Sequence, residues 1–154
     1  MLSKLLLLFT CPILLIFTMG AGPAAPDDKA SLQGAWTPKS VEVEGKPAPE
    51  DVVKSLHFTF DGDKLIVKGD RGHATEEIQY KIDATKSPKQ IDIMPPKDVA
   101  NGKTVLGIYE INGDELKLCF RQAQSSLGRP TDFSTKPDSD LTLAIFTRVK
   151  AEKP

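Results

Sequence analysis

The chain is predicted to be all-β: eight short strands in sequential hairpins, closed into an antiparallel up-and-down barrel with one short helix. Three observations predict this. Apolar residues recur with period two, as in Leu56, Phe58 and Phe60 or Ile78, Tyr80 and Ile82. Turn residues separate these runs, as at Asp61-Gly62-Asp63, Gly69-Asp70-Arg71-Gly72 and Asn112-Gly113. The runs also follow one another closely enough to pair as neighbours, and closing the last onto the first removes the exposed edges that an open sheet leaves. A bent sheet crossed by a helix (α+β) is the alternative.

Residues 1–24 read as a secretory leader. Lys4 supplies the positive start, Leu5–Phe17 is almost wholly apolar, and Met19–Ala25 is small and flexible. The apolar run contains Pro12 and falls short of the roughly 20 residues that span a bilayer, so no stable anchor is expected after cleavage. A cut after Ala24 has Gly22 at minus three, and a cut after Ala21 also fits. Cys11 follows Leu8-Phe9-Thr10, a poor lipidation signal. The protein is therefore expected outside the cytoplasm, secreted or in the cell envelope. Residues 25–30 read as a tether, 31–150 as the barrel domain and 151–154 as a tail.

Within the domain, Trp36–Val43 is the first strand, turned by Glu44-Gly45-Lys46. Pro49–Ser55 is the helix candidate, with Glu50 and Asp51 at the end where the helix dipole favours negative charge and Val52 and Val53 free to dock. Leu56–Phe60, Leu65–Lys68, Thr75–Ile82 and Lys89–Ile93 follow, the last stopped by Pro95-Pro96. Thr104–Ile111 and Glu115–Arg121 flank Asn112-Gly113, a hairpin signal because the favoured turn needs φ > 0 at its centre. Leu141–Val149 is the final strand. One face is apolar throughout, and Leu106, Ile108, Ala144 and Phe146 suggest a second apolar face on the late strands. That face needs a cover: the helix, the Gln122–Asp140 loop or a partner.

A domain of about 120–130 residues can bury a core without staples. The chain carries 20 basic and 21 acidic side chains, and losing Lys4 with the leader leaves a slightly acidic balance, so nucleic acid is not an expected partner. Cys119 alone survives processing, which excludes an internal disulfide framework.

Two resemblances rest on particular residues. Gly34-Ala35-Trp36 on the first strand, with Arg148 on the last, resembles the lipocalin arrangement, in which a tryptophan plugs one barrel end and a basic residue packs over its ring. More extensively, Leu32-Gln33-Gly34-Ala35-Trp36, Val41–Pro47, Gly107–Phe120, Arg129–Phe133 and Ser134–Pro137 resemble a lipocalin-like domain family of planctomycete bacteria. The chain departs from that pattern at Asp138-Ser139-Asp140, where a glycine-containing turn is usual. The resemblance implies the fold and a secreted or surface setting, and carries no activity with it.

Catalytic chemistry finds no constellation. His57 and His73 lack ligand spacing, and no nucleophile elbow or phosphate loop is present. Asp61, Asp63 and Asp70 lack calcium-loop spacing. No catalytic residue, metal or cofactor is expected. The 19-residue Gln122–Asp140 loop attracts attention by its length. It is expected to lie over the barrel end, with Phe133 closing on a ligand, Arg129 or Lys136 meeting an anionic group, and Tyr80, Tyr109 and Phe120 beneath. The expected function is thus non-enzymatic binding of a small amphipathic ligand. The alternative is a barrel packed solid with aromatics, acting as a structural or protein-interaction module of the envelope. The interior volume separates the two.

Overall fold

The computed structural model describes residues 27–69, 75–97, 100–123 and 125–150. The expected leader, residues 25 and 26 of the tether and the 151–154 tail lie outside the described residues, as do Asp70 and His73.

The domain is a closed antiparallel barrel. Its strands are β1 (Gly34–Val43), β2 (Lys46–Pro47), β3 (Leu56–Asp61), β4 (Lys64–Gly69), β5 (Glu76–Asp83), β6 (Lys89–Met94), β7 (Val105–Asn112), β8 (Glu115–Arg121) and β9 (Leu141–Arg148). They pair in the order β2-β1-β3-β4-β5-β6-β7-β8-β9, and β1 also pairs with β9, which closes the wall. The two-residue β2 only extends the Glu44-Gly45 turn, so eight strands make the barrel. Among the described residues two α-helices are present, α1 (Asp28–Leu32) and α2 (Glu50–Lys54). The second is the expected one. The first corrects the tether expectation at its C-terminal half.

α1 is the plug of one barrel end. The Asp27 side chain caps its N-terminus by accepting from the Lys29 amide at 3.0 Å. Five residues are too few to hold a helix alone, and tertiary contacts hold this one. The Trp36 indole Nε1 donates to the Leu32 carbonyl at 2.8 Å. Arg148 donates to the carbonyls of Gln33, at 2.7 Å, and Ser31. Gly34 begins β1 at φ 106°, a conformation that side chains disfavour, and this lets the chain turn from the plug into the wall.

The last hairpin is shifted by one residue from the sequence expectation. Asn112 pairs with Glu115, so Gly113 and Asp114 form the turn, with Gly113 at φ 59°. Gly113 takes the first central position, where the expectation had put Asn112.

Alternation divides every strand into inward and outward residues. Cross-strand register aligns Trp36 with Phe58, Phe60 with Leu65, Tyr80 with Ile93, Tyr109 with Leu118 and Leu116 with Phe146. All point inward, with edge-to-face pairs Phe58–Phe146 and Phe60–Tyr80 at 4.9 and 5.0 Å. Ala144 and Phe146 are therefore core residues, which corrects their assignment to a second apolar face. Ile108 and Cys119, aligned with one another, do face outward, and both are buried.

Candidate functional site

The inward residues change size along the barrel axis. At the plug end they are large: Trp36, Phe60, Tyr80, Tyr109 and Phe146, all nearly inaccessible, with Leu32 of α1 among them. Toward the opposite end, the mouth, the same strands present smaller groups: Val41 on β1, Leu56 on β3, Val67 on β4, Val105 on β7 and Ala144 and Thr142 on β9. The plug half is packed solid, whereas the mouth half holds a chamber of about 310 Å³. Phe58, Ile78, Ile93, Leu118 and Phe120 complete its wall, with Phe146 and Leu65 lower down and Pro95 at the rim.

Among the described residues, no side chain lining the chamber is charged, and Thr142 carries the one hydroxyl there. Burying a polar group without a partner costs roughly 2–7 kcal/mol, and an unpaired charge far more. The described wall therefore favours hydrocarbon over polar groups. The volume is about twice that of an apolar cavity of roughly 150 Å³ that takes up benzene, and it lies at the lower end of the range for ligand pockets.

The structure does not assemble the ligand site expected from sequence. Of the six residues proposed, Phe120 lines the chamber. Tyr80 and Tyr109 belong to the plug. The Tyr80 hydroxyl donates to the Gly62 carbonyl and accepts from Gln33, both at 3.0 Å. The Tyr109 hydroxyl donates to the Asp28 carboxylate at 2.8 Å, and Lys89 donates to the same oxygen at 2.6 Å. Burial, reinforced for Tyr109 by the Asp28 hydrogen bond, pushes both phenols above their ordinary pKa. Both act as fixed donors tying α1 and the β3–β4 turn to the wall.

The Gln122–Asp140 loop is a strap on the outer wall, which corrects its placement over the barrel end. Arg129 donates to the carbonyls of Ile91 (2.8 Å) and Gly107 (2.6 Å) and pairs with the outward carboxylate of Asp92. Arg121 donates to the carbonyls of Gly128 and Ser139, bracing the strap at two points. Thr135 bonds Glu42 and accepts from the Gly45 amide at 3.2 Å, tying the strap to β1. Phe133 borders a shallow groove with Pro88 and Glu110 at the plug end. Lys136 shares another shallow groove with Arg129 and Arg121. The strap therefore supplies the cover that the outer apolar face requires. Cys119 is wholly inaccessible, and burial, with Asp132 nearby, pushes its thiol up to about 11.

Among the described residues, no group of three or more His, Cys, Asp or Glu side chains is placed to hold a metal ion. Asp63 pairs with Lys29, whose ammonium also lies 4.9 Å from the Tyr80 ring centroid. No described helix is long and apolar enough to cross a membrane.

The expected contact between the first and last strands is present. Trp36 and Arg148 are register partners, and the guanidinium carbon lies 4.2 Å from the indole centroid. No protein-family model, curated protein or solved structure matches the chain.

Proposed function

We propose that this protein is an extracytoplasmic, non-enzymatic binding protein whose ligand is a small, largely apolar molecule held in the mouth-end chamber. The chamber carries this reading. A barrel serving only as a rigid interaction module has no need of a hollow half, and residues large enough to fill it already occupy the other half. The ligand is amphipathic at most in having a polar end left in solvent, because the described residues of the chamber wall offer no charge to receive one. The leader-like segment supports the extracytoplasmic setting. The sequence blocks, together with the Trp36–Arg148 stacking, support kinship with the planctomycete lipocalin-like family.

The uncharged fluorophore N-phenyl-1-naphthylamine tests the binding. The purified protein is expected to raise and blue-shift its emission saturably, and Ala144→Phe, which fills the chamber, is expected to abolish the effect. Native mass spectrometry of the same preparation would reveal a ligand carried from the host. If the wild-type protein leaves the fluorophore unchanged and carries nothing, the barrel is a structural or protein-interaction module instead.

A further inference from the structure

We infer that the Thr142 hydroxyl is the polar anchor of the chamber, and that the apolar body bound there carries one neutral oxygen, that of an alcohol or a carbonyl, to meet it. This deepens the binding reading and rests on it. Thr142 lies at the mouth end of β9, paired with Val43 of β1 and Phe120 of β8. Its side chain is on the inner face, where it lines the chamber together with Phe120 and is only 9% exposed.

The hydroxyl sets Thr142 apart. Inside the barrel the Trp36 indole and the Tyr80 and Tyr109 phenols each have a protein partner. The Thr142 hydroxyl bonds no described residue. Among the described residues, no fully enclosed side-chain oxygen or nitrogen lacks a partner, so the Thr142 oxygen, having none, still opens onto the space it lines. Buried polar groups in folded proteins are nearly always paired. Valine has almost the shape of threonine and would suit the same apolar wall without a hydroxyl to satisfy. A single hydroxyl also holds water poorly, because a buried water needs about two to four polar neighbours. A ligand oxygen completes the pairing.

The surroundings fix what kind of molecule brings that oxygen. Ala144, one inward step deeper on β9, is the smallest of the lining side chains and pairs with Val41 and Leu118. An apolar body resting over Ala144 lies beside the hydroxyl. The chamber of about 310 Å³, about twice the size of one that takes up benzene, suits a body of about two fused rings. Threonine both donates and accepts, so alcohol and carbonyl oxygens are equally suitable. A charged group is not, because one neutral hydrogen bond does not replace the hydration of an ion.

Paired ligands and paired variants test the anchor. At pH 7, 2-naphthol and 2-methylnaphthalene have nearly the same shape and differ in a hydroxyl against a methyl group. Each competes with N-phenyl-1-naphthylamine, whose own affinity is measured for every variant. Thr142→Val removes the hydroxyl and keeps the shape, Thr142→Ala removes it should valine disturb the fold, and Thr142→Ser retains it. Losing the hydroxyl is expected to move the ratio of the two affinities toward 2-methylnaphthalene by roughly fivefold or more, whereas Thr142→Ser stays within about twofold of the wild type. The charged 2-naphthoate is expected to bind the wild type at least about tenfold more weakly than 2-naphthol. A ratio unmoved by removal of the hydroxyl would overturn the anchor while leaving the chamber a binding site, and 2-naphthoate binding as tightly as 2-naphthol would overturn the neutral class. If the wild-type protein binds neither these compounds nor the fluorophore, the binding function itself falls, and the anchor with it.

Discussion

Arg148 stacks on Trp36 at 4.2 Å and, from the same guanidinium, donates to the carbonyls of Gln33 and Ser31. One side chain on the last strand thereby fastens the first strand and the plug helix at once. Trp36→Ala is expected to cost about 3–5 kcal/mol, as removal of a large buried aromatic does. Arg148→Lys keeps the charge but loses the planar fork, and is expected to cost about 1–3 kcal/mol. Urea unfolding followed by circular dichroism measures both. A loss well under 1 kcal/mol for Trp36→Ala would contradict its role as a plug.

Asp28 joins the plug to the far wall through Tyr109 and Lys89. Asp28→Ala leaves a buried phenol without its acceptor. Lys89 is partly solvated, so the ionic share is small, and the expected loss is about 1–3 kcal/mol. Tyr109→Phe in the Asp28→Ala background should recover part of it, because the orphaned hydroxyl is then gone. A double-mutant cycle measures the coupling, and additivity would disprove it.

The Cys119 thiol titrates near 11 rather than at its ordinary value near 9. Its folded-state pKa lies above the unfolded one. It therefore contributes stability in full below the unfolded value, and that contribution is lost as pH rises through the folded one. Cys119→Ala is expected to flatten the alkaline limb of the stability profile above about pH 9. At pH 8 the native thiol should react with a disulfide reagent far more slowly than the urea-unfolded chain.

Arg129 holds the strap over this thiol. Arg129→Ala frees the carbonyls of Ile91 and Gly107 and leaves Asp92 unpaired. Thiol modification at Cys119 is expected to accelerate markedly, with ligand binding unchanged because the chamber lies inside the wall. Phe133→Ala is likewise expected to leave the fluorophore affinity within about twofold, a change within the usual spread for remote surface substitutions. A large drop in affinity for either variant would return the strap to the binding site.

The strands and α2 were legible because their signals are local. Period-two alternation in Leu56–Phe60 and Thr75–Ile82 needs no knowledge of partners, and neither does the charge pattern of Glu50 and Asp51. β9 shows where such a signal fails. Leu141, Leu143 and Ile145 alternate with Thr142, Ala144 and Phe146, so both faces read as apolar. Only the pairing of Phe146 with Leu116 and Ala144 with Leu118 decides which face is inside. The strap has no period, so its path along the outer wall was invisible. α1 was missed because five residues carry too little helical signal.

The sequence by itself determined the barrel, its order of hairpins, the short helix before the second long strand, and the Trp36 and Arg148 positions that seal one end. Each depends on neighbouring residues or on the need to close a sheet. The tertiary structure decided that half of the interior is filled and half hollow, that the long loop binds the outside, and that Tyr80 and Tyr109 serve the plug. These depend on which side chains from distant strands reach the same height on the barrel axis. Register and closure set that height, and no local pattern encodes it.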